Sequence, residues 1–130
     1  MQTTNSSSSS TPQDPSPQYI PVWSKINSKD SCHRDGHASV IMNDFMITIG
    51  GCSASGFYTN DIIAFDLKKS LWLRLRPTGS QLPHCYGHSA VTYKDNQIIV
   101  FGGYNGEQVS NKVSVLTLDP VNSTKILFYL

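Results

Sequence analysis

Long apolar runs are missing from this chain. No stretch approaches the roughly 18 apolar residues that read as a membrane-spanning helix. The N-terminus, MQTTNSSSSSTPQDPSPQ, also lacks the apolar core of about 7–15 residues that a secretory signal needs. Cysteine is scarce: Cys32, Cys52 and Cys85 make an odd set of 3, with no Cys-x-x-Cys spacing. The three cannot all pair within the chain, and with no disulfide framework a reducing compartment is the simpler reading. The expectation is a soluble cytoplasmic protein, in which the glycosylation matches at Asn5 and Asn122 carry little weight.

Charge of one sign is also missing. The formal net charge is +1 and 15% of residues are charged. Nucleic acids and anionic membranes demand clustered Lys and Arg to neutralise phosphates, so neither is an expected partner. The one local concentration, Lys68, Lys69, Arg74 and Arg76 in LKKSLWLRLR, alternates with apolar residues like a strand with a basic outward edge. Sustained 3.6-residue periodicity is absent as well, which argues against any substantial helix.

What is present suits one globular domain: 130 residues with 38% hydrophobic content. Residues 1 to about 18 are Ser, Thr, Pro and Gln with almost nothing to bury, and are expected to be a disordered tail. Ordered sequence begins at YIPVWSKI, with Tyr19, Ile20, Val22, Trp23 and Ile26.

From there the chain repeats itself. RDGHASVIMNDFMITIGG (Arg34 to Gly51) returns as CYGHSAVTYKDNQIIVFGG (Cys85 to Gly103). Gly36-His37 recurs 51 residues on at Gly87-His88, and Gly50-Gly51 recurs 52 residues on at Gly102-Gly103. Asn60 before DIIAFDL recurs at Asn111 before KVSVLTLD, and Trp23-x-x-Ile26 is echoed by Trp72-x-x-Leu75. Each period divides alike. HASVIM and HSAVTY read as first strands, while FMITIG and QIIVFG are continuous apolar runs suited to strands buried on both faces. DIIAFDL and KVSVLTL form third strands, and LWLRL, with the earlier VWSKI, reads as a fourth. Gly, Asn, Asp, Ser and Pro punctuate the joins. The unit is a four-stranded antiparallel sheet of about 50 residues, a period that belongs to propeller arrays.

These landmarks (the Gly-His opening, the double glycine closing the second strand, the Asn-Asp before the third, and a Trp about six residues after Phe65-Asp66) resemble those of the Kelch-repeat family. Arg34 matches the family's usual residue before Gly-His; Cys85 departs from it in the second copy, which also lacks its tryptophan, with Lys125 and Ile126 where one is due. The resemblance implies an all-β fold: a partial kelch-type β-propeller of about two four-stranded antiparallel blades plus an outer-strand fragment at Trp23. Blade one is expected over about 34–76 and blade two over about 85–120 within a repeat region of 19–120, with a divergent tail at 121–130. Closed propellers need about 4–8 blades. Two blades therefore suggest a fragment or truncated form of a full propeller, or one that self-associates through open blade edges.

The histidines are the sharpest chemical candidates. His33 and His37 are spaced i, i+4 beside Cys32, and His84 and His88 repeat that spacing around Cys85. On extended chain four residues span about 13 Å, whereas ligands of one zinc ion all sit at about 2.0–2.3 Å from it. The expectation is no metal, cofactor or catalytic residue. His37 and His88 are instead expected to start inner strands and hydrogen-bond toward the adjacent blade. Gly102 to Gly106 has no Lys-Ser/Thr after it and is not a phosphate loop. Ser89 beside His88 cannot form a triad, since neighbours on a strand face opposite ways. The alternative from another class is an enzyme or metalloprotein on a galactose-oxidase-like propeller; the constellation of Tyr, Cys and His it needs cannot be placed here.

In an up-and-down blade, the loop before strand one and the loop joining strands two and three share one face. That face collects SKDSCHRD, SASGFYT, SQLPHCY and YNGEQVS, with Arg34, Phe57, Tyr58, Tyr86, Tyr104, Asn105 and Glu107 as candidate partner-binding residues. Aromatics and Arg on loops over a rigid scaffold are the usual ingredients of an interface. The expected function is a non-catalytic protein-interaction scaffold or adaptor. Family resemblance alone implies partner classes such as actin, small GTPases or ubiquitin-ligase substrates.

Overall fold

Short β-branched runs separated by Gly, Asn and Asp leave the backbone one economical solution, which is to pair neighbouring runs as antiparallel ladders. The computed structural model describes residues 19–26, 33–119 and 127–129. It contains β1 (Arg34–Asp35), β2 (Ala38–Met42), β3 (Phe45–Ile49), β4 (Cys52–Ser53) and β5 (Ile62–Asp66). Next come β6 (Leu71–Leu75), β7 (Ser89–Tyr93), β8 (Gln97–Phe101), β9 (Val113–Asp119) and β10 (Leu127–Tyr129). There is no helix among the described residues. Blade one is the sheet β2-β3-β5-β6 and blade two is β7-β8-β9-β10, all neighbours antiparallel. A two-stranded ladder of β1 and β4 sits at one end of blade one.

Turn chemistry explains why the repeat is 51 residues at one landmark and 52 at the next. Asn43 and Asp44 join β2 to β3, with Asn43 at φ 52°, a left-handed conformation asparagine tolerates. Blade two uses three residues, Lys94 to Asn96, for the same hairpin. At the β5–β6 corner, Asp66 is buried and its Oδ1 accepts from the amides of Lys68 (2.9 Å) and Lys69 (2.8 Å), closing the turn.

Two strand assignments differ from the sequence reading. The Trp23 segment is not a strand: Tyr19 to Ile26 is unpaired and exposed, with Trp23 98% accessible. A strand exists only with a ladder to join, and the fourth positions of both sheets are filled by β6 and β10. Blade two also runs past residue 120, because Leu127, Phe128 and Tyr129 pair with Asp119, Leu118 and Thr117. The missing tryptophan does not prevent this, since ladder bonds are made by backbone and ILFYL has strong strand propensity. The predicted disorder of residues 1–18 lies outside the described residues, as does Cys32.

The core lies between the blades. Residues directly opposite one another on an antiparallel sheet share a face. Val40, Met42, Ile47, Ile49, Ile62, Ala64 and Leu75 thus form one face of blade one. They pack against Ile98, Val100 and Leu116 of blade two, with Ala90 and Leu118 at the margin. Leu82 and Cys85, on the connection between blades, close the cluster. Burial of both faces, expected of FMITIG and QIIVFG, holds for Ile47, Thr48 and Ile49 of β3 but not in β8, where Phe101 is exposed; β5, the third strand of blade one, is buried throughout.

Candidate functional site

The connection from blade one to blade two is stitched to blade one by its backbone. Gly51 N–H donates to the Cys85 carbonyl (2.7 Å), Gly87 N–H to the Gly36 carbonyl (2.8 Å), and Cys85 N–H to the Thr59 carbonyl (3.3 Å). Asn60 Nδ2 donates to the Leu82 carbonyl at 2.9 Å. Asn60 is thus a cross-blade fastener, which gives the repeated Asn before the third strand a physical role. Close approach requires glycine: a Cβ on Gly50, at φ +60°, would lie 2.6 Å from Cys85 Sγ and 2.9 Å from His88 Cε1.

That stitching gathers the loops at one end of both sheets. Tyr58 stands edge-on to Tyr86 (centroids 5.8 Å apart) and to Tyr104 (5.6 Å), so three of the candidate aromatics form one half-buried cluster across two blades. Isolated bridges pair Cys52 with Tyr58, Tyr86 with Tyr104, and Tyr104 with Val109. Tyr104 Oη donates to the Gly106 carbonyl at 2.7 Å, and the Tyr86 ring packs on Gly36. Centroid separations between about 4.5 and 7 Å with T-shaped geometry are favourable for aromatic pairs.

The other four candidates take different roles. Phe57 is 73% exposed and Glu107 is exposed. Asn105 is a turn former, its Oδ1 accepting from the amides of Glu107 and Gln108 at 2.9 Å each. Arg34 is not an outward-facing anchor: its side chain is 6% accessible, donates from Nη1 to the Gly50 carbonyl (2.9 Å) and approaches Asp61 at 3.9 Å. Arg74 also pairs with Asp61, so one carboxylate serves two guanidinium groups. Asp61 and Arg74 are additions to the predicted set. The signal for Asp61 was its place just ahead of the third strand, at the end of the sheet where the loops collect.

Beside the cluster is an open recess of about 580 Å³, its walls drawn from Arg34, Phe57, Tyr58, Asp61, Arg74 and His84 among others. His33 and His84 both reach it. Among the described residues, no three His, Cys, Asp or Glu side chains come together as a metal-holding group.

The two Gly-His histidines differ. His88 is buried between the blades, and neither ring nitrogen makes the hydrogen bond that the sequence suggested. Burial lowers its pKa; the nearby Ile49 backbone opposes that effect and His37 adds a small push in the same downward direction. His37 is exposed. Burial likewise pushes the Cys85 thiol up to about 11.

Comparison with known proteins agrees with this geometry. The model of the KLHDC2/KLHL20/DRC7 Kelch-repeats domain matches residues 21–127. The Rho GTPase-activating protein gacHH of Dictyostelium discoideum is 36% identical over 70 residues, covering 54% of this chain and 5% of that protein. The leucine-zipper-like transcriptional regulator 1 homolog of Drosophila melanogaster is 36% identical over 78 residues, covering 60% of this chain and 8% of its own. Kelch domain-containing protein 1 of Mus musculus is 28% identical over 112 residues, 83% of this chain and 26% of that protein. The chain therefore spans a small part of each relative. Landmarks, blade architecture and matched residues converge: the chain belongs to the Kelch-repeat family.

Proposed function

We propose that this chain is a non-catalytic protein-interaction module whose binding face is the loop end of the two blades, centred on Phe57, Tyr58, Tyr104 and Glu107. The observation that carries the reading is the Tyr58–Tyr86–Tyr104 cluster, which ties two blades into one platform beneath an exposed phenylalanine. A rigid aromatic base with an exposed apolar anchor and a charged rim is the composition of an interface hot spot. The recess beside it suits a loop or peptide that lays an apolar side chain on Phe57 while a polar group reaches Asp61 and Arg74. Kelch domains are typically protein-interaction modules, which supports the class of partner. Among the family's partner classes, a small GTPase context has support from the similarity to a Rho GTPase-activating protein.

Affinity capture from a cytoplasmic extract, comparing the natural chain with Phe57→Ala and Glu107→Ala, tests the reading. Both residues are exposed, so the fold is retained and the captured partner is expected to be lost or weakened about tenfold or more, the size of a hot-spot truncation. Capture unchanged in both variants overturns the proposed face.

A further inference from the structure

Two side chains cross the blade junction to the same point on blade one. The Cβ atoms of Cys85 and His88 both lie against Gly103, just past β8, where an added Cβ would stand 3.1 Å from each. Their tips reach Gly50, at the end of β3: a Cβ there would meet Cys85 Sγ at 2.6 Å and His88 Cε1 at 2.9 Å. Cys85 is 2% exposed and His88 is 7% exposed. Thiol and imidazole are thus covered by one contact, and parting it would uncover both.

The imidazole is a costly group to seal there. Neither ring nitrogen has a hydrogen-bond partner, and a buried polar group left so loses stability that water would restore. A proton enlarges the cost, because a buried cation needs a partner or solvent. The surroundings offer little. From β3 the nearby Ile49 backbone favours the charged ring, while His37, just ahead of β2, opposes it. Arg34, fixed to the Gly50 carbonyl, is a further cation at that strand end, and Asp61 beside it is shared between Arg34 and Arg74. Asp35 is exposed, and the Cys85 thiol, with its pKa pushed up to about 11, stays neutral.

The junction can give way locally. The connection holds to blade one through the Gly51–Cys85, Cys85–Thr59 and Gly87–Gly36 backbone bonds and the Asn60 side chain on the Leu82 carbonyl. It holds to blade two through a separate pair of bonds between Tyr86 and Tyr104, and each blade's ladder lies within its own sheet. Losing the first set leaves the second and both ladders in place. We propose that mild acid opens this end of the junction: proton uptake by His88 releases residues 82–88 from blade one while both sheets persist, exposing Cys85 and parting Tyr86 from Tyr58. The device regulates the aromatic platform, yet neither the argument nor its test depends on what binds there. An exposed imidazole titrates near 6.5, so the opened fraction rises about tenfold between pH 7.5 and 5.5.

Thiol labelling under native conditions tests this, read by peptide mapping as the rate at Cys85 relative to Cys52. The ratio removes the dependence of thiolate chemistry on pH that exposed thiols share. In the natural chain it is expected to rise about tenfold from pH 7.5 to 5.5, with the far-ultraviolet circular dichroism unchanged. In His88→Gln, which takes up no proton, the ratio is expected to stay level. A level ratio in the natural chain, an equal rise in the variant, or loss of the β signal in step with labelling overturns the proposal. Should the variant fail to fold, nuclear magnetic resonance of the natural chain decides. The rise at Cys85 is expected to follow the titration of the His88 imidazole, and a rise that tracks His37 instead overturns the proposal.

Discussion

Ile49 and Phe101 occupy the same place in the two blades, each at the end of the second strand and just ahead of the double glycine. Ile49 is fully buried and Phe101 is 53% exposed. The larger and no less apolar residue is the more exposed one. Burial here is decided by whether a neighbouring sheet covers the row, and residue type supplies only the readiness to be covered. Gly50 with Gly102 and His88 with His37 show the same asymmetry: Gly50 and His88 are buried at the junction of the blades, while Gly102 is only half-buried and His37 is exposed.

The widest gap is expected from truncating that first pair. Ile49→Ala should cost about 2–5 kcal/mol, from lost transfer energy plus the cavity left behind. Phe101→Ala should stay within about 1 kcal/mol in the monomer, where much of the ring is already in water. Urea unfolding of dilute, monomeric protein measures both, and equal losses would erase the distinction between the faces. A smaller contrast separates the glycines. Gly50→Ala adds crowding against Cys85 and His88, costing about 1–3 kcal/mol, to the left-handed penalty of about 1–2 kcal/mol. At the equivalent Gly102, φ +74°, an added Cβ meets only the Ser110 carbonyl at 3.3 Å, so Gly102→Ala bears little beyond the conformational penalty.

The histidines sharpen the comparison through pH. His88 in the folded chain binds a proton less readily than the unfolded chain does, whose value is near 6.5. Above that value both states are neutral and the group contributes no pH dependence. Below it the unfolded state takes up the proton first, so stability falls as the solution is acidified. The urea midpoint of the natural chain is expected to drop between about pH 6.5 and 5.5, and His88→Gln to flatten that drop; an unchanged slope would place the titrating group elsewhere. The smallest expected effect is chemical. With its thiol buried and its pKa raised to about 11, Cys85 is expected to resist a thiol reagent at pH 8 until the blades separate, while half-buried Cys52 reacts. Peptide mapping of the labelled protein reads the order directly.

Much of the fold was legible because its signals are local. Strand boundaries followed from the apolar runs and from the Gly, Asn and Asp between them, and the extra residue at Lys94 to Asn96 was already visible as an insertion. The misses were both of fourth strands. Trp23 carried the right residue without a ladder, and Leu127–Tyr129 has a ladder without the tryptophan. Side-chain identity marks an outer strand only when a partner edge is free to accept its backbone. The candidate site was legible in part. Loop topology brought Tyr58, Tyr86 and Tyr104 together, since alternate connections of a blade must emerge at one end. It could not show that Arg34 turns inward to the Gly50 carbonyl and Asp61, or that Asn105 is spent on its own turn.

The sequence by itself determined the period, the four-stranded unit and the family, because these depend on residue patterns within about 50 positions of one another. Only the tertiary structure decided which of two equivalent faces is core and which is surface. That choice depends on a second sheet arriving about 10 Å away, and an apolar row reads the same along the chain whether or not its neighbour is there.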